Sequence, residues 1–136
     1  MGEYKKPLPI MDLDSKEFWE GCHKHELLLQ KCNNCGKYHF PPGPVCPECF
    51  SLDLKWTKTS GKGIVYTFTV VRRALGPDWE SDVPYVVGVI ELSEGVRMVS
   101  NVVGCKPEEV KIGMPVVVIF DDVTDTISLP KFRPAG

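Results

Sequence analysis

The chain has 136 residues, 43% of them hydrophobic and 25% charged, with a formal net charge of -2; that suits one soluble domain, or a small module joined to a compact one. No stretch approaches the run of about eighteen apolar residues needed to span a membrane, and MGEYKKPLPIMDLDSKEFW has no apolar signal-peptide segment. The expectation is a cytoplasmic protein without a membrane association, whose thiols stay reduced, so disulfides are a poor account of its six cysteines.

In chain order, residues 1–13 carry prolines and are expected to be extended. Asp14, with Glu17 three residues later, reads as a capping box that opens a short helix ending near His23. Phe18, Trp19 and Cys22 fall on one stripe of it. They either pack on a core or, for Phe18 and Trp19, dock onto a partner chain. ELLLQKC reads as a strand leading to the first of two cysteine pairs.

Those pairs are Cys32/Cys35 and Cys46/Cys49, each with two intervening residues and ten residues between the pairs. Two residues between cysteines let one tight turn aim both sulfurs at one ion, and zinc prefers four thiolates in a tetrahedron. Gly36 and Pro47 suit such knuckle turns. Four protein ligands leave no open position, so the site is structural, not hydrolytic. Iron is the alternative occupant of the same four-sulfur shell. Four thiolates and one zinc ion take the net charge to about -4. That argues against a nucleic-acid function, which rests on a surplus of Lys and Arg.

After Cys49 short strands alternate with turns. LDLKWTKT is the first. GIVYTFTVVRR follows, with Ile64, Tyr66, Phe68 and Val70 expected on one face. YVVGVIEL and RMVSNVVG are joined by SEGV. PEEVKIGM reads as a helical turn, and PVVVIFDDV and TISLPKF close the chain. Five strands after residue 62, with a helical element before the fourth, fit a five-stranded OB-fold barrel, with a small sandwich as the alternative. Gly61, Gly63 and Gly88 are candidates for sharp bends. The fold class is therefore mainly β: an N-terminal helix and a rubredoxin-like zinc ribbon followed by the barrel. The divisions are 1–30, 31–60 and 61–136. Residues 72–84 form a long loop between the first two barrel strands and carry Trp79, in the place where OB folds bind ligands.

FW in an N-terminal helix, CNNCG, FPPGPVCPEC, SGKGIVYTFTVV, VPYVVGVIEL, SEGVRM and VKIGMPVVVIF together resemble the zinc-ribbon/OB-fold proteins associated with acyl-CoA metabolism, over nearly the whole chain. Members pair with thiolase-like chains, among them archaeal acetoacetyl-CoA thiolase assemblies, steroid side-chain degradation complexes and benzylsuccinyl-CoA thiolase. This chain is similar in size to the small subunit of the last. The resemblance implies that Cys32, Cys35, Cys46 and Cys49 bind the metal, that Phe18 and Trp19 match the family's FW, and that a thiolase-like protein is the partner in a two-plus-two hetero-oligomer. Relatives often have an arginine where this chain has Gly43, so a phosphate or partner contact is missing there.

Two cysteines, Cys22 and Cys105, and three histidines, His23, His25 and His39, lie outside the four-sulfur set. Cys105 precedes a helical turn, whose N-terminus is one way to lower a thiol pKa, yet no histidine is near it in sequence, and an inert buried or half-buried thiol is the expectation. His23 and His25 face different sides of a helix and make a poor metal pair. His39 is placed to shield the zinc site or to make a second bond around it. The first reading is thus a non-catalytic accessory subunit of a thiolase-class enzyme. It would bind a coenzyme A thioester together with its partner through Arg72, Arg73, Trp79, Arg97, Lys131 and Arg133. A nucleic-acid module that stacks bases on Tyr66, Phe68 and Tyr85 is the alternative. An iron electron carrier is the third reading.

Overall fold

The computed structural model describes residues 4–135. Helix α1 runs Lys16–His23, with Ser15 at its N-cap and no capping side chain. The expected capping box at Asp14 and Glu17 is absent. Its reciprocal bonds form earlier in the chain instead. The Ser15 N–H donates to Asp12 Oδ1 at 2.8 Å, and the Asp12 N–H donates to Ser15 Oγ at 3.3 Å. Asp12 competes successfully because its carboxylate accepts from both the N–H and the hydroxyl of Ser15, which holds its pKa below the ordinary carboxylate range.

The helix ends in a Schellman turn. The Glu26 N–H donates to Gly21 O at 2.8 Å and the His25 N–H to Cys22 O at 2.9 Å, which places His25 at the left-handed position with φ 61°. The chain then enters a three-stranded antiparallel sheet. Its central strand is β1 (Leu28–Cys32), flanked by β2 (Tyr38–His39) and β3 (Leu54–Lys58).

Five further strands close a barrel: β4 (Lys62–Val71), β5 (Tyr85–Leu92), β6 (Arg97–Val102), β7 (Pro115–Asp122) and β8 (Ser128–Pro134), in the order β4-β5-β6-β8-β7. β4 pairs with β7 to complete the ring, and β6 meets β8 in a parallel pair at Val102 and Phe132. The helical element before the fourth barrel strand is a 3-10 turn at Pro107–Glu109.

One expectation about facing fails on β4. The register shifts between Val65 and Thr67, so Tyr66 is an extra residue and the alternation changes phase there. Val65 points inward and is fully buried, whereas Ile64 and Tyr66 are exposed. Beyond the bulge Phe68 and Val70 pack on the core as expected.

Gly61 begins the barrel with φ +73°, and a Cβ there would lie 2.5 Å from Val118 Cγ1, so only glycine fits. Gly63 is needed for a different reason, a Cβ 2.6 Å from the Glu91 carbonyl oxygen, while Gly88 meets only ordinary contacts. Phe18, Cys22, Leu27 and Leu29 share one apolar cluster with Val65, Val86, Ile90, Leu92, Met98, Val102, Val116 and Phe132. Helix, ribbon and barrel therefore rest on a common core. Among the described residues no helix is long and apolar enough to cross a membrane.

Candidate metal centre and its surroundings

The two knuckles repeat one backbone pattern. In the first, the Gly36 N–H donates to Cys32 O and the Cys32 N–H to Lys37 O, at 2.8 and 2.9 Å; in the second, the Phe50 N–H donates to Cys46 O and the Cys46 N–H to Ser51 O, both at 2.9 Å. Each knuckle requires a left-handed residue, Gly36 at φ 77° and Phe50 at φ 63°. The four sulfurs of Cys32, Cys35, Cys46 and Cys49 lie within 4.8 Å of one another. Cys32 and Cys49 sulfurs are 3.5 Å apart, and those of Cys35 and Cys46 are 3.7 Å apart. A tetrahedron with Zn–S bonds of about 2.3 Å has edges of about 3.8 Å, so the donor set fits zinc.

The electrostatics agree. The Asn34 amide donates to Cys49 Sγ at 3.4 Å; this contact, followed by the Ser51 N–H, brings the Cys49 thiol down to about 6. The Lys37 N–H also favours a Cys35 thiolate, but burial and the three neighbouring sulfurs outweigh it and push Cys35 up to about 11. Four thiols this close resist joint ionisation until a cation compensates them. The Cys35 N–H points at Cys32 Sγ at 3.4 Å. His39 is buried, its Nε2 has no partner among the described atoms, and the side-chain hydrogen bond to a ligand sulfur comes from Asn34 instead.

The residues expected to touch a partner or CoA do not form one site. Phe18 is a core residue, edge-on to Trp19 at 5.0 Å and tilted against Phe40 at 5.5 Å. Trp19 is half-buried and lines a small cleft of about 220 Å³ with Phe40, Val99, Leu129 and Pro130. Arg97 is already engaged, 3.8 Å from the Tyr66 ring centroid and 2.9 Å from Glu91. Lys131 is paired with Asp121 at 2.7 Å. Arg133 is exposed and donates to the Pro134 carbonyl, and Arg72 and Arg73 are exposed at the start of the long loop. The base-stacking platform is not formed either, since Phe68 packs on the core and Tyr66 lies under Arg97.

A groove of about 590 Å³ opens at the end of the barrel that carries the long loop. Trp79, in a 3-10 turn at Pro77–Trp79, lines it together with Tyr85, Cys105, Leu129 and Lys131. Tyr4, Lys6 and Pro7 complete the wall, with Lys6 ion-paired to Asp82. Sequence reasoning missed this contribution, because nothing in an extended N-terminal segment marks where it will lie. Cys105 reaches the groove half-buried, and burial and then Glu109 raise its pKa, as an unreactive thiol requires and not as a helix N-terminus would have it. Cys22 is fully buried and pushed up to about 12 by desolvation. Neither thiol is prepared as a nucleophile.

His25 lies beyond the end of α1 at His23, on the left-handed turn, so it does not share a helix with His23. Its Nε2 lies 2.9 and 3.1 Å from the two carboxylate oxygens of Asp122.

Residues 19–55 match the model of the ChsH2 rubredoxin-like zinc ribbon domain, and residues 56–121 that of the ChsH2 C-terminal OB-fold domain. The chain is 46% identical over 95 residues to a DUF35 domain-containing scaffold protein of Methanocaldococcus jannaschii, covering 69% of this chain and 67% of that one. It is 38% identical over 130 residues to a probable enoyl-CoA hydratase alpha subunit of Thermomonospora curvata; the match takes in 96% of this chain but spans only 40% of that subunit's length. A chain of a solved Ltp2-ChsH2(DUF35) aldolase superposes with a TM-score of 0.86 at 38% identity, covering 95% of this chain and 100% of that one.

Proposed function

The chain belongs to the ChsH2/DUF35 family of zinc-ribbon and OB-fold proteins, and on that premise we propose that it is a non-catalytic scaffold subunit of an enzyme acting on acyl-CoA thioesters. The observation that carries the reading is the full-length superposition on the DUF35 chain of an aldolase assembly. The relatives above are named as a hydratase subunit, an aldolase and a scaffold protein. The partner is accordingly a catalytic chain of acyl-CoA metabolism, and a thiolase-class chain in a two-plus-two cytoplasmic complex is the narrower form of the proposal.

Cys32, Cys35, Cys46 and Cys49 hold a structural zinc ion. With four thiolates its shell is closed, and it contributes rigidity to the ribbon, not a reactive water. The working division is 1–30, 31–60 and 61–136. The groove beside Trp79 and the free cations Arg72 and Arg73 at its loop are the candidate contacts for the CoA thioester; Arg97 and Lys131 would first have to leave their carboxylate partners.

Purification of the tagged chain from its source should bring down a catalytic chain in fixed stoichiometry, and that chain should turn over its acyl-CoA substrate fully only when this protein is present. A catalytic chain equally active alone would end the proposal. If Arg72→Ala with Arg73→Ala leaves acyl-CoA affinity of the complex unchanged, the loop is not the CoA clamp.

A further inference from the structure

Among the described residues, one pair of side chains provides the hydrogen bonding between the helix and ribbon, residues 16–58, and the barrel strands, residues 62–134: His25 and Asp122. The connecting segment adds a bond from the Ser60 N–H to Glu94 Oε2 at 3.0 Å, and Phe18, Cys22, Leu27 and Leu29 pack against the barrel core. Apolar burial is non-directional. A hydrogen bond has direction and a narrow range of distance.

Two barrel groups meet His25, and a third holds one of them in place. Asp122 offers both carboxylate oxygens to Nε2, at 2.9 and 3.1 Å. Phe120, two residues earlier on the same strand, stacks on the imidazole with centroids 5.3 Å apart and planes at 22°. Ser128, fully buried and opposite Asp122 in the β7–β8 register, donates its hydroxyl to the same carboxylate and holds it in place.

The backbone gives independent support. His25 occupies the left-handed position of the helix-ending turn, which is most often glycine. A residue held against its backbone preference is retained by its surroundings, and here the imidazole contacts supply the retention. We propose that His25 is a clasp that fixes the angle of the zinc ribbon against the barrel, with Asp122, Phe120 and Ser128 as its seat.

The test uses the full zinc-loaded chain and residual dipolar couplings of its backbone amides. In the wild type, ribbon and barrel amides should fit one alignment tensor. His25→Gly relieves the backbone while deleting the ring; it should keep zinc stoichiometry and the barrel amide shifts, yet require two tensors, with the alignment magnitude of the ribbon falling below that of the barrel. His25→Asn, which also tolerates a left-handed backbone, should do the same. Asp122→Ala combined with His25→Gly should loosen the ribbon no further than His25→Gly alone. A single tensor retained in both His25 variants would overturn the clasp.

Discussion

The ribbon and the barrel are both small β units, but different forces hold them. The barrel strands supply Val65, Val86, Ile90, Leu92, Met98, Val102, Val116 and Phe132 to the core, and every barrel strand is paired on both sides. The ribbon sheet contributes Leu29 to that core, and its other buried residues are largely ligands or polar: Cys32, Cys46, Gln30 and His39. A unit of about thirty residues with so little apolar burial falls below the size at which a core suffices, and a metal has to replace it. The comparison teaches that zinc supplies to the ribbon what hydrophobic burial supplies to the barrel.

The strongest way to break the comparison is to remove the metal. Structural zinc sites contribute on the order of 10 kcal/mol or more at neutral pH. A strong chelator, or Cys46→Ser, should therefore collapse the ribbon's amide dispersion while the barrel resonances and its hydrogen-exchange protection persist. A barrel that melts together with the ribbon would show that the two are not separable in this sense. The converse change is Phe132→Ala, which empties the centre of the barrel. It should cost about 3–5 kcal/mol in urea denaturation, with the zinc affinity of the remaining folded protein unchanged.

A smaller effect compares the two knuckles with each other. They share hydrogen bonds and handedness, but one uses Gly36 and the other Phe50, a side chain 76% exposed. Left-handed backbone costs a non-glycine residue about 1–2 kcal/mol, part of which glycine returns through the greater freedom of its unfolded chain. Phe50→Gly should then tighten zinc by a few-fold in a chelator competition. Gly36→Ala should weaken it by a similar factor, because no atom lies within 4 Å of the added Cβ and the cost is confined to the backbone. Equal affinities in all three proteins would mean that the knuckle backbone does not limit metal binding.

The smallest effect belongs to the junction. Ser128, and then His25, hold the Asp122 carboxyl below its ordinary range. A depressed carboxyl gives stability that is present above its unfolded pKa and lost as pH falls through the folded value. The acid limb of the stability curve should be shallower in Asp122→Asn than in the wild type, with no difference near neutrality in its slope. Identical acid limbs would remove this contribution.

What could be read from the chain followed repetition. Two CxxC pairs state a tetrahedral site in their spacing alone, and the apolar run YVVGVIEL reads as the strand observed at Tyr85–Leu92. What could not be read depended on single insertions or on distant partners. Tyr66 is one extra residue on β4, and it reverses which side chains upstream face inward. The helix start was misplaced because Asp12, Asp14 and Ser15 all have capping chemistry, and only the path of the extended segment decides among them. The helix end near His23 was legible, but the left-handed turn at His25 was not, because no glycine marks it. The loop side of the groove of about 590 Å³ was legible through Trp79, but its N-terminal wall escaped for the same reason as the clasp, since Tyr4 and Lys6 reach it from a segment with no periodic pattern.

Chain order also sets an order of assembly. Barrel closure joins Gly63 to Val116, so β4 must wait for more than fifty further residues before its second edge is covered. The four sulfurs lie within residues 32–49. On the ribosome, the ribbon can therefore capture its metal while the barrel is still an open sheet, because all four of its ligands are made before the first barrel strand.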